Sequence, residues 1–367
     1  MRAVLSGGGT AGHVNPALAL AEELRLRGWD VEYAGTPAGI ESRLVPEAGL
    51  PYRAFEAKGF NRSHPMTLPK ALVTLQKSTG AAKKWFAENP PDVVVGFGGY
   101  VCIPVGRAAE QLGIPVVVHE QNSVMGMANK YLAKRAATAC LTYEYAAKDV
   151  AGSTPVVVTG NPVRRGVFDA TREEGRAALG LPEDALVLVV TGGSLGARHI
   201  NEAMVALKER LLALDNLVVI HITGPKELDA VTEAMGLTTA EQERYRLVGY
   251  TNQMGLIMAA ADAIVSRAGA TSLAEISARA LPALLVPYPF ATEDHQTVNA
   301  QQWVESGAAF MVADDRVETD EFATKLFRLI EDANLRTSMR AAAQSHETKN
   351  AACALADVVE AAVKRGE

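Results

Sequence analysis

The feature that most constrains the fold is a repeated unit: a short β-branched run, then glycines, then an amphipathic helical pattern. Such units are typical of βαβ folds with parallel strands. The first unit comprises a predicted strand at Arg2–Ser6, a loop at 7–13 and a helix from about Pro16 to Arg27. Continuous apolar runs at 93–95, 116–118, 187–190 and 284–286 suit strands buried on both faces. We therefore predict parallel sheets covered by helices on both sides.

The second half of the chain restates the first, which predicts two similar α/β domains. The run 186–190 leads into a glycine loop and a helix, as the opening strand does, and the unit at 92–118 is matched by another at 262–286. A chain of 367 residues also exceeds what one hydrophobic core usually serves. Residues 159–182 lack a strand pattern and are predicted to be a linker. We expect two Rossmann-like domains with parallel sheets that face an inter-domain cleft, where ligands collect.

Composition and charge exclude several classes of protein. A net charge of -6 provides no global cationic field, so nucleic acid is not the expected partner. The three cysteines are odd in number and widely spaced, which favours buried thiols in a reducing compartment over disulfides. Met1 runs directly into an apolar strand with no export signal, so we expect a cytoplasmic protein. No apolar run approaches the roughly 18 residues of a membrane span, so membrane contact is expected to be peripheral.

Four glycine loops carry the candidate chemistry. The loop at 7–12 matches G-x-G-x-x-G, but the second strand ends in Gly35 and Thr36 without the acidic residue of an NAD site. The loops at 7–12, 96–100, 192–194 and 267–269 instead predict backbone N–H groups and helix N-termini around phosphates. Any one loop could be only a tight turn, whereas four together favour diphosphate chemistry. Neither Asp-x-Asp nor another metal motif occurs, so we expect no metal, and a leaving diphosphate would need cationic and hydroxyl groups. The candidates are Arg164, Arg267, Ser194, Thr271 and Ser272.

Six blocks of sequence are spread along nearly the whole chain: 8–17 (GGTAGHVNPA), 98–100 (GGY), 119–122 (HEQN), 160–164 (GNPVR), 192–197 (GGSLGA) and 266–270 (SRAGA). Together, and in this order, they resemble the MurG family, the UDP-N-acetylglucosamine:undecaprenyl-pyrophosphoryl-N-acetylmuramoyl-pentapeptide N-acetylglucosaminyltransferases. The six blocks are jointly far more specific than one glycine loop. The resemblance implies GT-B architecture, with a lipid-acceptor and membrane-docking domain at 1–162, a UDP-sugar donor domain at 163–340 and a C-terminal helix at 341–367 that packs back on the first.

The resemblance further implies a reaction and its partners. N-acetylglucosamine would pass from UDP-GlcNAc to the 4-hydroxyl of the muramoyl sugar of lipid I, undecaprenyl-pyrophosphoryl-MurNAc-pentapeptide, with inversion and without metal or cofactor. The products would be lipid II and UDP. The enzyme would lie peripherally on the cytoplasmic face of the cell membrane, an anionic surface, with cell-wall or division proteins as candidate partners.

Site residues follow from the resemblance by position. Glu275 would hold the ribose, residues 270–274 would lie along the uridine diphosphate, and Ser194 and Arg164 would approach the phosphates. The donor sugar would meet Asn129, Gln296 and the loop at 10–12. The implied donor-binding set is Thr10, Ala11, Gly12, Asn129, Arg164, Ser194, Thr251, Arg267, Ala270, Thr271, Ser272, Leu273, Ala274, Glu275 and Gln296, and the acceptor-binding set is Gly98, Gly99, Tyr100, His119, Glu120 and Asn122.

His13 is the candidate catalytic residue because it ends the first glycine loop. A histidine titrates near neutral pH and can take the proton of an attacking alcohol. It could equally hydrogen-bond the loop or bind acceptor diphosphate as a donor, and the sequence leaves both open; His119 is a weaker candidate base. Three residues depart from the family pattern, and the third puts sugar selectivity in question: Ala11, Thr251 and His295 stand where glycine, an apolar residue and glutamine are common.

Three other functions remain to be weighed. One is a GT-B transferase for a diacylglycerol or a natural-product aglycone, against which the blocks at 98–100 and 119–122 speak. Another is a UDP-sugar 2-epimerase, which needs no lipid acceptor, so dependence on lipid separates it. The third is a non-catalytic nucleotide-binding protein, disfavoured by the full set of site residues.

A basic amphipathic segment at 62–86 is predicted to rest on an anionic membrane. It contains no acidic residue and interleaves lysines with apolar residues, a composition typical of interfacial segments. An ordinary helix packed on its own domain is the alternative. The lysines are Lys70, Lys77, Lys83 and Lys84, and the apolar residues are Met66, Leu68, Leu72, Val73, Leu75, Trp85 and Phe86.

Overall fold

The computed structural model describes residues 1–57, 68–193, 196–291, 294–344, 346 and 350–364. The chain divides into two compact units. Unit 1 comprises Met1–Arg164 and Lys349–Glu367, and unit 2 comprises Arg165–Thr348. The C-terminal end of the chain therefore belongs to unit 1.

Strands and helices alternate along both units. The strands are β1 (Arg2–Ser6), β2 (Asp30–Gly35), β3 (Tyr52–Ala54), β4 (Val93–Gly96), β5 (Val116–Glu120), β6 (Thr138–Leu141), β7 (Val156–Val158), β8 (Leu186–Thr191), β9 (Leu217–Ile222), β10 (Tyr245–Val248), β11 (Ala263–Ser266), β12 (Ala283–Leu285) and β13 (Ala309–Met311). The α-helices are α1 (Ala11–Leu26), α2 (Glu41–Glu47), α3 (Leu68–Glu88), α4 (Cys102–Gln111), α5 (Met127–Ala133), α6 (Arg165–Phe168), α7 (Arg172–Ala178), α8 (Arg198–Ala206), α9 (Lys208–Leu212), α10 (Leu228–Met235), α11 (Thr239–Arg244), α12 (Met254–Ala260), α13 (Ala270–Ala278), α14 (His295–Glu305), α15 (Asp320–Glu331), α16 (Ala333–Gln344) and α17 (Ala351–Lys364). Short 3₁₀ helices lie at Glu144–Asp149 and Asp314–Arg316.

Unit 1 is built on a parallel sheet with the order β3-β2-β1-β4-β5-β6-β7. Neighbouring residues of one strand are buried on opposite faces. Leu5 packs in a core formed with α1 and α17, whereas Val4 packs in a second core formed with α3 and α4. The predicted burial of these strands on both faces is confirmed. Helix α17 also joins α1 through an ion pair between Arg27 and Asp357.

Unit 2 repeats this plan with the order β10-β9-β8-β11-β12-β13, again parallel throughout. Alternate residues of β8 serve its two cores: Leu188 and Val190 lie on one face, and Val187 and Val189 on the other. The predicted fold class, two Rossmann-like α/β domains with parallel sheets, is confirmed.

The strand order fixes where each sheet can hold a ligand. In unit 1 the chain leaves β1 toward β2 on one side and reaches β4 on the other, and β8 has the same relation to β9 and β11. Such a switch point leaves a crevice at the carboxyl ends of the two central strands. The loops after β1 and β4 therefore lie side by side in unit 1, as do the loops after β8 and β11 in unit 2.

Two local predictions were wrong, and a third was incomplete. Helix α1 begins at Ala11 and not near Pro16, because Thr10 already has the extended backbone of an N-cap and Pro16 is accommodated inside the helix. The predicted linker at 159–182 has no strand and contains the division between the units after Arg164, but it also contains α6 and α7, the latter begun by a capping box of Thr171 and Glu174. In α3, Trp85 and Phe86 are core residues whose rings pack against each other at a tilt of 34°, so they do not form a membrane-facing surface.

The rest of the predicted membrane segment at 62–86 lies partly outside the described residues and partly in α3. Residues 62–67 lie outside the described residues. Leu72 and Val73 of α3 are exposed, as are Lys77 and Lys84. Among the described residues, no helix is long and apolar enough to cross a membrane.

Candidate active site

The first glycine loop of unit 1 is held in a fixed shape by close backbone contacts. Gly8 N–H donates to the Gly98 carbonyl at 3.2 Å, so the loops after β1 and β4 are joined. A Cβ at Gly99 would lie 2.5 Å from the Gly8 oxygen, a distance that excludes any side chain there. Gly9 has φ +87, a left-handed conformation that favours glycine. These glycines are therefore required by the backbone, whatever they bind.

A buried carboxylate that the sequence analysis missed holds this loop by hydrogen bonds. Glu41, at the start of α2, is fully buried. It accepts hydrogen bonds from Gly9 N at 3.1 Å, Thr36 N at 3.0 Å and the Thr36 hydroxyl at 2.6 Å. No pattern around position 41 predicts this role, because its partners come from two different loops.

His13 lies at the junction of the two loops. Its Nδ1 is 2.8 Å from the Gly8 carbonyl oxygen and 3.3 Å from the Thr10 hydroxyl. A carbonyl only accepts, so Nδ1 carries a proton and the lone pair of the neutral ring lies on Nε2. That nitrogen packs against Gly98, since a Cβ built there would be 2.9 Å from it. The imidazole is partly exposed and can therefore reach a bound molecule.

Asn129 approaches the same point from α5. Its Nδ2 would be 3.5 Å from a Cβ on Gly98, and it donates to the His119 carbonyl at 3.0 Å and to Glu120 Oε2 at 2.8 Å. Its Oδ1 is buried and has no hydrogen-bond partner among the described residues. His13, Gly98 and Asn129 are thus brought together although 116 positions separate the first from the last in sequence.

Two predicted acceptor residues are buried. His119 is fully inaccessible, with Nε2 2.9 Å from the Gly160 carbonyl, and burial lowers its pKa to about 4. Glu120 accepts hydrogen bonds from Asn122 N at 3.0 Å and Gly126 N at 2.9 Å, besides both side-chain amides of Asn122 and Asn129. These side chains shape the loop from 121 to 129. Tyr100, by contrast, is exposed beside Gly98 and Gly99.

Arg164 lies at the end of unit 1 and already has a partner. Its Nε is 2.7 Å from Glu22 of α1, with both side chains partly exposed. The pair would have to open before Arg164 reached a phosphate.

In unit 2, the described glycines after β8 are also constrained by the backbone. A Cβ at Gly196 would lie 2.2 Å from the Thr223 carbonyl oxygen, and both Gly193 and Gly196 have positive φ. Ser194 lies outside the described residues.

The helix that follows this loop, α8, is anchored by a buried polar network that was not predicted. Asn201 Nδ2 donates to the Thr223 carbonyl at 3.0 Å, and its Oδ1 is 3.0 Å from His221 Nε2. His221 Nδ1 lies 3.2 Å from the Tyr245 hydroxyl, and burial lowers the pKa of His221 to about 3. The ring is therefore neutral, with its proton on Nε2.

Helix α13 presents its N-terminus beside the second loop. Gly269 is extended, and the first helical hydrogen bond runs from Leu273 N to the Gly269 carbonyl. Three backbone N–H groups precede that bond, at the positive end of the helix dipole. Thr271, Ser272 and Glu275 are partly exposed, while the remaining first-turn residues Ala270, Leu273 and Ala274 are buried.

Arg267 leads into this helix but is committed to protein contacts. Its guanidinium donates to the carbonyls of Val286 and Pro287 at 3.2 and 3.1 Å and pairs with Asp314. Asp314 also contacts His199 Nδ1 at 2.7 Å. Arg267 therefore ties the ends of β11 and β12 to the 3₁₀ helix at Asp314–Arg316 and to α8.

Gln296 completes the group around α13. Its Oε1 accepts from Tyr288 N at 3.0 Å, and its Nε2 would lie 3.8 Å from a Cβ on Gly269. Thr251 lies in another loop, where its hydroxyl accepts from Gln253 N at 2.9 Å. Within the described residues no group of three or more His, Cys, Asp or Glu could hold a metal ion.

The comparisons with known proteins cover the whole chain. Residues 3–141 match the glycosyltransferase family 28 N-terminal domain, and residues 187–355 match the family's C-terminal domain. A protein of Moorella thermoacetica named UDP-N-acetylglucosamine--N-acetylmuramyl-(pentapeptide) pyrophosphoryl-undecaprenol N-acetylglucosamine transferase is 37% identical over 371 residues, with 100% of each chain covered. The crystal structure of Acinetobacter baumannii MurG is similar with a TM-score of 0.75 and 30% identity, covering 98% of this chain and 99% of that one. CalG4, the calicheamicin glycosyltransferase, shares the fold alone, with a TM-score of 0.70, 19% identity and coverage of 99% and 98%.

Proposed function

We infer the function from the premise that this chain belongs to the MurG family within glycosyltransferase family 28. It is an N-acetylglucosaminyltransferase that moves N-acetylglucosamine from UDP-GlcNAc to lipid I, forming lipid II and UDP in peptidoglycan synthesis. The observation that carries this function is the 37% identity to a named transferase over the full length of both chains. The details of the chemistry below are our proposals.

We propose that the transfer inverts the anomeric carbon and that His13 is its general base. The 4-hydroxyl of the muramoyl sugar attacks the anomeric carbon, its proton passes to His13 Nε2, and the bond from that carbon to the diphosphate breaks. A single displacement of this kind inverts the configuration. Support comes from the hydrogen bond between Nδ1 and the Gly8 carbonyl, which leaves the Nε2 lone pair available.

The leaving UDP is stabilised, in this proposal, by backbone groups of unit 2 and without a metal. The N-terminus of α13 supplies N–H groups and the positive end of a helix dipole. The backbone of Gly192 and Gly193, which follow β8, would supply further N–H groups. Thr271 and Ser272 add hydroxyls. Arg267 acts by holding these loops in place, because its own hydrogen bonds go to Val286, Pro287 and Asp314.

The remaining donor contacts are assigned by exposure. Glu275 is partly exposed one turn into α13 and would accept the ribose hydroxyls. Gln296, beside Gly269, would bind the donor sugar. Asn129 is buried, and its Oδ1 has no hydrogen-bond partner among the described residues, so it would accept a sugar hydroxyl only if the groups that cover it moved.

The acceptor contacts divide into direct and indirect ones. The partly exposed Gly99 and the exposed Tyr100 would touch lipid I directly, whereas Gly98 is buried and would act by positioning the His13 ring. His119 and Glu120 would act through the loop that they organise, because both are buried and hydrogen-bonded to it.

Membrane docking completes the proposal, since a polyprenyl tail stays in the bilayer and the enzyme has to come to it. The exposed Leu72 and Val73 of α3, with Lys77 and Lys84, provide apolar and cationic side chains for an anionic surface. The protein would then be peripheral on the cytoplasmic face of the membrane.

Radiolabel transfer tests the reaction: labelled UDP-GlcNAc is incubated with a short-chain lipid I analogue in the presence of EDTA. We expect labelled disaccharide product with a β linkage and an undiminished rate. An α linkage would contradict inversion, and a rate restored only by added divalent cation would contradict the metal-free proposal. Conversion of UDP-GlcNAc without any acceptor would indicate the epimerase instead.

A further inference from the structure

One peptide group of the first glycine loop is shared between His13 and the buried Glu41. Its carbonyl, that of Gly8, lies 2.8 Å from His13 Nδ1, and its N–H, that of Gly9, donates to Glu41 Oε2 at 3.1 Å. The peptide group is planar and trans, so its carbonyl and its N–H point in opposite directions. The carbonyl therefore turns away from His13 only if the N–H also leaves Glu41.

The hydrogen bonds of Glu41 are those of an ionised carboxylate. Oε2 accepts from Gly9 N, and Oε1 accepts from Thr36 N at 3.0 Å and from the Thr36 hydroxyl at 2.6 Å. Backbone N–H groups only donate, and each oxygen meets one of them. Hydrogen bonds to a charged acceptor are about twice as strong as neutral ones, so the carboxylate holds the Gly9 N–H firmly.

The chain around the carboxylate leaves room for it at the expense of side chains. A Cβ at Gly8 would lie 2.5 Å from Glu41 Oε1, and a Cβ at Gly39 would overlap both carboxylate oxygens. Glycines at 8 and 9 also leave the peptide between them free to rotate, since glycine adopts positive and negative φ with similar ease. The orientation of that peptide is therefore fixed by what its two polar groups bond to.

A half-turn of this peptide would reverse the hydrogen bonding of the His13 ring. It would carry φ of Gly9 from +87 to about −93 (87 − 180), the kind of change that separates type II from type I turns. Gly9 N–H would then face Nδ1 in place of the Gly8 carbonyl. Nδ1 would have to accept, so the one proton of the neutral imidazole would lie on Nε2. The ring would no longer offer a lone pair at Nε2.

We propose that Glu41 is a positioning residue for the transfer, because it holds the Gly8–Gly9 peptide in the orientation that keeps the His13 proton on Nδ1 and the lone pair on Nε2. This inference rests on the proposed role of His13 as general base. Glu41 touches neither substrate, since its side chain is fully buried and both of its oxygens are bonded within unit 1. Its effect on the reaction passes through the tautomer of His13.

Long-range ¹H–¹⁵N NMR of histidine-labelled protein measures the tautomer directly, because it distinguishes protonated from unprotonated ring nitrogens. Spectra are taken without substrates at a pH where the ring is neutral, and His13→Ala identifies the signal. In the wild type we expect the proton on Nδ1. In Glu41→Gln one acceptor is replaced by an NH₂ group, which only donates and is satisfied when the flipped peptide presents the Gly8 carbonyl to it. We expect the proton to move to Nε2 and kcat to fall by about 10- to 100-fold, with both KM values unchanged.

Thr36→Val is the matched control for the loss of a hydrogen bond at this carboxylate. It removes the hydroxyl that donates to Oε1 and keeps the bond from Gly9 to Oε2. We expect a lower Tm with the tautomer of His13 and kcat both unchanged. A loss of stability alone is thereby separated from a change of the ring.

Gly9→Ala moves the same peptide without altering Glu41, so it decides the matter even where Glu41→Gln does not fold. A Cβ at Gly9 would meet nothing within 4 Å, but alanine disfavours φ +87 and readily adopts φ near −93. We expect the proton to shift toward Nε2 and kcat to fall, as in Glu41→Gln. Gly28→Ala has φ +81 and equally open surroundings, and it should leave the tautomer of His13 unchanged.

The outcomes separate this inference from the proposed chemistry. A His13 proton that stays on Nδ1 in both Glu41→Gln and Gly9→Ala overturns the positioning role, as does a shift to Nε2 that Thr36→Val and Gly28→Ala share. If the tautomer changes as expected but His13→Ala keeps its kcat, Glu41 does set the ring and the assignment of the general base fails instead.

Discussion

Replacing Gly98 by alanine tests whether the position of the His13 ring governs the chemical step. Gly98 follows β4 with φ +104, and an added Cβ would lie 2.9 Å from both Nε2 and Cδ2 of His13. Gly28, just after α1, offers a matched control: it has φ +81, and a Cβ there would meet nothing within 4 Å. Both substitutions strain the backbone, but only the first pushes on the proposed base.

The magnitudes follow from these two geometries. A left-handed alanine costs about 1–2 kcal/mol, so both variants should lose roughly 2–8 °C of Tm. Ordinary contact begins at 3.4 Å, so the His13 ring has to move by about 0.5 Å (3.4 − 2.9) in Gly98→Ala. Because a misplacement of about 1 Å can cost about 100-fold in rate, we expect kcat to fall by about 10-fold in Gly98→Ala and to stay unchanged in Gly28→Ala.

Steady-state transfer to a soluble short-chain lipid I analogue, with Tm from calorimetry, measures both effects. His13→Ala removes the proposed base altogether and should give the largest effect. We expect kcat to fall on the order of 100-fold or more and the acidic limb of the pH profile to be lost. The reasoning is refuted if Gly98→Ala and Gly28→Ala have the same kcat. If His13→Ala keeps its kcat and only binds acceptor poorly, His13 is a binding residue.

Three further results are expected. Glu275→Ala should raise the donor KM by about 10- to 100-fold through loss of a charged hydrogen bond to ribose, and unchanged donor kinetics would remove that assignment. Changing Lys77, Lys83 and Lys84 of α3 to Gln should release the protein from anionic vesicles, at about 1 kcal/mol per lysine, while activity on a soluble acceptor survives; unaltered vesicle binding would place docking elsewhere. His221 has a pKa of about 3 in the folded protein, against an ordinary value near 6.5. Below pH 6.5 the unfolded state therefore binds a proton that the folded state does not, so the free energy of unfolding decreases as the pH is lowered. At pH 5 this effect of His221 lowers the free energy of unfolding by about 2 kcal/mol. Urea unfolding of His221→Gln should therefore depend less on pH between 6.5 and 5 than unfolding of the wild type does.

The sequence alone determined the fold class, because burial of a strand on both faces and the turn after it are local properties of the chain. Strand β1 was predicted with its observed ends, and the repeated units correspond to two sheets with the same strand order. The blocks of glycine and polar residues were sufficient for the family as well, since they are contiguous in sequence. The start of α1 was not predicted. Thr10 is its N-cap without a side-chain hydrogen bond, and Pro16, the predicted first residue of the helix, lies inside it.

Only the tertiary structure decided which side chains are available to a substrate. Glu41 and Asn201 look like ordinary helical residues, yet Glu41 holds the first glycine loop and Asn201 anchors α8 to the residue after β9, because strand order brings their partners beside them from remote positions. Trp85 was expected at a membrane and lies in the core, since an amphipathic pattern does not say which surface covers the apolar side. Local pattern specifies which residues are apolar or flexible, whereas long-range packing specifies what each polar group meets.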